Sequence, residues 1–253
     1  MLAREYGGSY MSLPQWIVTD LDETLLHNDR SISKRTLDTI GAVRSLGIRF
    51  AIATTRSHSY AQQFIDILKP DAMALSGGAV AFHNESLQYH MPLDAHLVTF
   101  LLTEFSHHEH VQDWVLDTAD GRFTPENIAS TPAEYAVYSM FLWTEHSHAD
   151  YLSEKYHDTV TVTALWEPNM YRLSHKEATK LAALQALLDG VSPTDVICFG
   201  DDLMDVGMLS HFTGVAVSNA KREAKEAATH VTYSNEEDGV AQWLEQNLLR
   251  KLP

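Results

Sequence analysis

Short runs of β-branched and aliphatic residues, each halting at polar or acidic positions, alternate with stretches whose apolar residues recur every three or four positions. Ile17-Val18-Thr19 is the first such run, and it stops at two aspartates with one residue between them, Asp20 and Asp22. Leu37, Ile40, Val43 and Leu46 follow at helical spacing, with Ser33 placed to cap that helix and Gly47 to end it. A second strand over about 49–54, a helix over about 59–68 stopped by Pro70, and a third strand over about 72–75 reaching Ser76-Gly77-Gly78 complete a β-α-β-α-β order. That order calls for a parallel sheet with right-handed crossovers.

The middle of the chain has a different rhythm. Trp114-Val115-Leu116 and Arg122-Phe123 flank Asp120-Gly121, which reads as a type I′ hairpin turn. Strands are expected over 138–143, 159–165 and 169–173, and a helix over 93–105. From Thr179 the alternation of helix and strand resumes, including the apolar run Val196-Ile197-Cys198-Phe199. The chain therefore reads as α/β: a doubly wound, Rossmann-like core from residues 1–82 and 177–253, with an α+β cap inserted at 83–176. Whole-domain insertions are tolerated where their ends lie close together.

Composition narrows the function. The 253 residues are 45% apolar, normal for a globular protein, and carry a formal net charge of −16. That charge argues against nonspecific nucleic-acid binding, which needs a basic surface. Cys198, the single cysteine, excludes an intramolecular disulfide and reads as an inert packed thiol. No apolar run approaches membrane-spanning length, and the first twelve residues lack the basic start and apolar centre of a signal peptide. Gly7-Gly8-Ser9 reads as flexible, and Met11 as an alternative start. The expectation is a cytoplasmic protein, monomeric or weakly self-associating, without nucleic-acid or membrane partners.

Asp20 and Asp22 lie at the carboxyl end of a predicted parallel strand, where open α/β sheets place their sites. In extended chain they share a face, and two carboxylates ~4 Å apart repel by roughly 4 kcal/mol at an effective dielectric of ~20. A cation or a shared proton would relieve that; an Asp-rich turn or helix N-cap is the alternative reading. Three more segments add to the pair. Phe50-Ala51-Ile52-Ala53 ends in Thr54-Thr55-Arg56, Lys180 opens an amphipathic helix, and the run to Phe199 ends in Gly200-Asp201-Asp202-Leu203-Met204-Asp205.

This ordered set resembles the haloacid dehalogenase (HAD) superfamily of aspartate-nucleophile phosphatases. Gly214-Val215-Ala216-Val217-Ser218-Asn219-Ala220, with Glu237-Asp238-Gly239-Val240-Ala241 behind it, is similar to the Cof-type subfamily with a C2 (type IIB) cap. The resemblance implies Asp20 as nucleophile and Asp22 as general acid/base. It implies phosphate contacts from the Leu21 backbone N–H, the Thr54 hydroxyl, the Thr55 position and Lys180. It further implies Mg²⁺ held by Asp20, the Asp22 carbonyl and Asp201, with Asp205 orienting Lys180 or a metal water. Arg56 either faces the leaving group or pairs structurally, and Asn219 is either a site residue or a turn residue.

Three positions depart from the family pattern: Thr55 replaces a glycine, Met204 replaces a phosphate-contacting asparagine, and Gly77 stands where asparagine is frequent. His107, His108, His110, His146 and His148 suggest zinc by composition, but their spacing fits no ligand motif and reads as cap surface. The implied function is Mg²⁺-dependent hydrolysis of a small phosphorylated metabolite, with sugar phosphates the first class. Pyridoxal phosphate or FMN, a sugar phosphomutase, and a non-catalytic phosphometabolite-binding regulator are the alternatives.

Overall fold

The computed structural model describes residues 3–6, 9–105, 110–128, 134–165 and 167–250, with side chains from residue 13 onward. Trp16–Thr19 is buried along its whole length because it is the central strand of an eight-stranded sheet. Ile17 faces one apolar cluster, and Trp16 and Val18 face another, as a strand covered on both faces requires.

To one side of it lie Arg49–Ala53 and Ala72–Leu75, and to the other Val196–Gly200, Thr213–Ala216 and His230–Val231, all parallel. The chain leaves the central strand on one side and returns on the other, so a crevice opens at that strand's carboxyl end. The helix Lys34–Ser45 starts where Ser33 accepts a hydrogen bond from the Thr36 N–H. No helix among the described residues is long and apolar enough to cross a membrane.

The inserted region has its own five-stranded antiparallel sheet: Val160–Ala164, Met170–His175, Val137–Thr144, Val111–Thr118 and Gly121–Phe123, in that spatial order. Leu101, Leu116, Met140, Leu142, Leu152 and Leu173 pack into the cap's own core, which takes in the helices Ala95–Phe105 and His146–Lys155. Residues of the opposite face reach the core domain: Arg122 stacks on Tyr60 at 4.1 Å and Asp117 accepts from the Ser76 hydroxyl at 3.0 Å.

Three expectations need correction. Val80–His83 and Ser86–His90 extend the large core sheet as antiparallel strands, so residues 83–90 share the core's hydrogen bonding although the sequence places them in the cap. Asn84 and Glu85 both adopt positive φ to turn this hairpin, which their sequence does not advertise. The cap hairpin turns one residue earlier than expected, with Thr118 paired to Gly121 across Ala119-Asp120. The Thr118 hydroxyl holds it, accepting from Asp120 N–H at 3.1 Å and donating to the Gly121 carbonyl at 2.9 Å. Ala3–Tyr6 and Ser9–Ser12 pair as strands where the sequence suggests a flexible start; Gly7 and Gly8 lie outside the described residues.

Candidate active site

Asp20 follows the central strand directly, and its N–H still donates to the Phe199 carbonyl at 3.0 Å, so its position is fixed by the sheet. Lys180 begins the helix Lys180–Leu187, capped by the Thr179 hydroxyl. Its ammonium donates to Asp20 Oδ1 at 2.7 Å and to Asp205 Oδ1 at 2.6 Å, and all three side chains are buried. The turn Ser76–Gly78 packs against the start of this helix. A Cβ on Gly78 would lie 2.1 Å from the Thr179 carbonyl oxygen, so only glycine permits the approach.

The loop after Val196–Gly200 folds back on itself. Asp205 Oδ2 accepts the N–H groups of Asp201 at 2.9 Å and Asp202 at 3.0 Å. Asp205 therefore positions both the loop and Lys180. Asp201 Oδ1 accepts from the Thr24 hydroxyl at 2.7 Å. Thr24 is a site residue that sequence reading missed; its signal was its place four residues after Asp20, in the turn that faces the same crevice.

Among the described residues, Asp20, Asp201 and Asp205 are the one group of potential metal ligands, with oxygens within 4.8 Å of one another. Three carboxylates against one ammonium leave excess negative charge in a dry site. Burial raises the Asp20 carboxyl well above its ordinary range; Lys180 pulls it back, and Asp205 and Asp201 push it further up. Burial first, then Asp205, pushes Asp201 up to about 7. Burial favours proton loss from Lys180, but Asp20 and Asp205 outweigh it and hold the ammonium above its ordinary value. An all-oxygen site with surplus negative charge suits a hard divalent cation. Asp205 is already engaged by three donors, which leaves Asp20 and Asp201 as the carboxylates able to hold one.

Thr54 is fully buried at the end of the second strand. Its hydroxyl oxygen accepts from the Arg56 N–H at 3.1 Å, which leaves its proton to donate elsewhere. Thr55 lies half-buried beside it. Arg56 pairs with a protein carboxylate at the site: Nε and Nη2 grip Asp22 at 2.8 and 2.6 Å. Asp22 is thus outside the carboxylate cluster, at the half-exposed mouth of the site. Leu21 is buried in the turn Leu21–Leu25, closed by Leu26 N–H to the Leu21 carbonyl at 2.8 Å.

Asn219 straps this turn, donating to the Glu23 carbonyl at 2.8 Å and accepting from the Asn235 N–H at 3.0 Å. Asn219 therefore ties the turn after Asp20 to the turn at Asn235. Asp202 is likewise occupied, by Lys221 at 2.8 Å and by the Leu203 N–H. Met204 sits half-buried in the turn Leu203–Asp205.

Among the described residues the cap histidines form no group of metal ligands, although the His110 and His148 rings lie 6.4 Å apart. His107 and His108 lie outside the described residues, His110 faces Glu145 at 3.2 Å, and His146 contacts the Tyr171 hydroxyl at 3.0 Å. Cys198 is buried in its strand, and burial pushes its thiol well above the ordinary range, as an inert packed thiol should be.

A family model described as haloacid dehalogenase-like hydrolase matches residues 17–163 and 122–244. A protein of Haemophilus influenzae is 47% identical over 81 residues, 31% of each chain. A 5-amino-6-(5-phospho-D-ribitylamino)uracil phosphatase of Bacillus subtilis is 26% identical over 262 residues, covering 92% of this chain and 97% of its own. The solved structure of a HAD subclass IIB sugar phosphatase superposes with a TM-score of 0.78 at 20% identity, over 94% of this chain and all of that one.

Proposed function

The chain belongs to the haloacid dehalogenase-like hydrolases, as a Cof-type subclass IIB phosphatase, and on that premise we propose that it hydrolyses small sugar phosphates through an aspartyl-phosphate on Asp20. The observation that carries this reading is the buried Asp20–Lys180–Asp205 arrangement with Asp201 beside it. An Asp20 oxygen attacks phosphorus, and the bond from phosphorus to the leaving alkoxide breaks. Asp22 gives the alkoxide its proton. Water then attacks the phospho-enzyme, passing a proton to Asp22, and phosphate leaves Asp20. Lys180 neutralises charge on Asp20 and on the phosphoryl oxygens, and the Thr54 hydroxyl and Leu21 N–H hold those oxygens. Asp20, the Asp22 carbonyl and Asp201 would hold Mg²⁺, which supplies Lewis-acid stabilisation of the transferring group. The cap, over residues near 91–176, excludes water and selects the leaving group.

Phosphate release from a panel of sugar and sugar-alcohol phosphates, pyridoxal phosphate and FMN tests the substrate class. Turnover confined to the two cofactors would overturn the sugar-phosphate reading. A ribityl phosphate belongs on the panel because the Bacillus relative acts on one. Conversion of a sugar phosphate to its isomer without phosphate release would indicate a mutase.

Mg²⁺ binding has a readout besides turnover. At ~100-fold saturation a single native-state site adds about 2.7 kcal/mol of stability. Mg²⁺ is therefore expected to raise the thermal midpoint of wild type and to leave that of Asp201→Asn nearly unmoved. An equal shift in both proteins would remove Asp201 from the ligand set.

Met204→Asn is expected to raise kcat/KM by roughly 10–100-fold, since a hydrogen bond to a charged group contributes roughly 1.5–3 kcal/mol, while the Asn219 and Asp202 side chains already hold other partners. A fall in activity at unchanged thermal stability would show that the site is built around methionine.

A further inference from the structure

Arg172 is a charged residue buried where, among the described residues, no carboxylate forms an ion pair with it. It lies on the cap strand Met170–His175 and is 1% exposed. Its Nε donates to the Ser139 hydroxyl at 2.8 Å, within the cap. Its Nη2 crosses to the core and donates to the Ser76 carbonyl. Its Nη1 has no acceptor among the described residues. A buried guanidinium held by neutral oxygens alone is costly, and burial lowers its pKa to about 10, with Asp117 opposing from farther off.

The carbonyl that Arg172 grips belongs to a strained turn. Ser76 and Gly77 have φ of 50° and 67°. A Cβ on residue 77 would lie 2.6 Å from Arg172 Nη1, so glycine there admits the guanidinium. From this turn the hydrogen bonds run straight into the site. Ser76 N–H donates to the Arg56 carbonyl at 2.8 Å, and Gly77 N–H donates to the Thr54 carbonyl at 2.9 Å. The Arg56 side chain in turn grips Asp22 through two hydrogen bonds.

We propose that Arg172 is a positioning residue through which the cap sets the placement of Thr54 and of the Arg56–Asp22 pair. Its grip on the Ser76 carbonyl makes docking of the cap and alignment of the acid one event. The proposal rests on the reading of Asp22 as the acid that protonates the leaving alkoxide. Nothing in it requires Arg172 to touch substrate.

The test compares an alkyl phosphate, glycerol 3-phosphate, with p-nitrophenyl phosphate, whose phenolate leaves without a proton near neutral pH. The value of kcat/KM reports events up to phosphoryl transfer to Asp20, so later hydrolysis of the phospho-enzyme does not enter. Arg172→Gln is expected to lose about tenfold more kcat/KM on the alkyl phosphate than on the aryl phosphate, and Arg172→Lys to recover part of the difference; misplacing a proton donor accounts for a loss of that order, within the ~10²–10⁴-fold that general acid catalysis contributes. Asp22→Asn is run alongside and should show the same selectivity in larger measure. Equal losses on both substrates in Arg172→Gln and Arg172→Lys, with selectivity retained in Asp22→Asn, would overturn the positioning role. Equal losses in Asp22→Asn would overturn the assignment of the acid, and the role of Arg172 with it. If Arg172→Gln does not fold, Arg172→Lys and Ser139→Ala, which frees the guanidinium's cap anchor, carry the same comparison.

Discussion

Asp20→Asn is expected to reduce turnover by about 10³-fold or more, the scale on which loss of a covalent nucleophile acts. An amide oxygen in the same place is too weak a nucleophile to form the phospho-enzyme. The fold should survive, because the Asp20 backbone is held by the Phe199 carbonyl and an asparagine oxygen can still accept from Lys180. Stability gives a second readout with a definite sign. Burial holds the folded-state pKa of Asp20 above its reference value of 3.8. An acid whose pKa is raised on folding favours the folded state most at low pH, and that contribution is lost as pH rises through the folded-state value. Asparagine removes the titration. In metal-free protein near neutral pH the variant should therefore unfold at or above the wild-type temperature, although it is nearly inactive. Turnover within tenfold of wild type would take the nucleophile role from Asp20.

The candidate site was legible because its residues announce themselves at the ends of apolar runs. Asp20 and Asp201 each follow a strand whose side chains are buried on both faces, and no packing reason places carboxylates there. Lys180 stands in the first turn of a helix, where the dipole disfavours a cation; the structure resolves this by aiming it at two carboxylates. What stayed hidden depends on contacts distant in sequence. Whether Arg56 met a leaving group or a protein partner could not be read from its neighbours, and its partner is Asp22, 34 residues away. Asn235, which holds the Leu26 carbonyl and Asn28 at 3.0 Å each, sits in a capping turn that looks purely local in sequence. Ser86–His90 reads as part of the cap because its burial is too slight to mark it as an edge strand of the core. Arg172 was passed over for a similar reason: one arginine in a cap strand looks like surface until its burial is known.

Lys180→Met is expected to damage both fold and function, and the two losses have one electrostatic cause. The substitution keeps most of the aliphatic stem and removes the ammonium that sits 2.7 Å from Asp20 and 2.6 Å from Asp205. Removing one partner of a buried ion pair costs about 3–5 kcal/mol, because the remaining charge is left uncompensated. At roughly 2–4 °C per kcal/mol for a chain of this size, the midpoint should fall by ~10 °C. The ammonium itself is fully protonated below the lysine reference value of 10.5, since the folded state raises its pKa further, so across the neutral range only the carboxylates around it titrate. In the variant the surviving carboxylates repel one another, and protonating them relieves the repulsion. The stability gap between variant and wild type should be widest near pH 8, narrow toward pH 5, and shrink again when Mg²⁺ is added at pH 8. Thermal unfolding at the two pH values, with and without Mg²⁺, measures all three. A gap indifferent to pH and to Mg²⁺ would mean that the lysine acts by packing alone, and would leave the neutralisation of Asp20 and the phosphoryl oxygens without its cation.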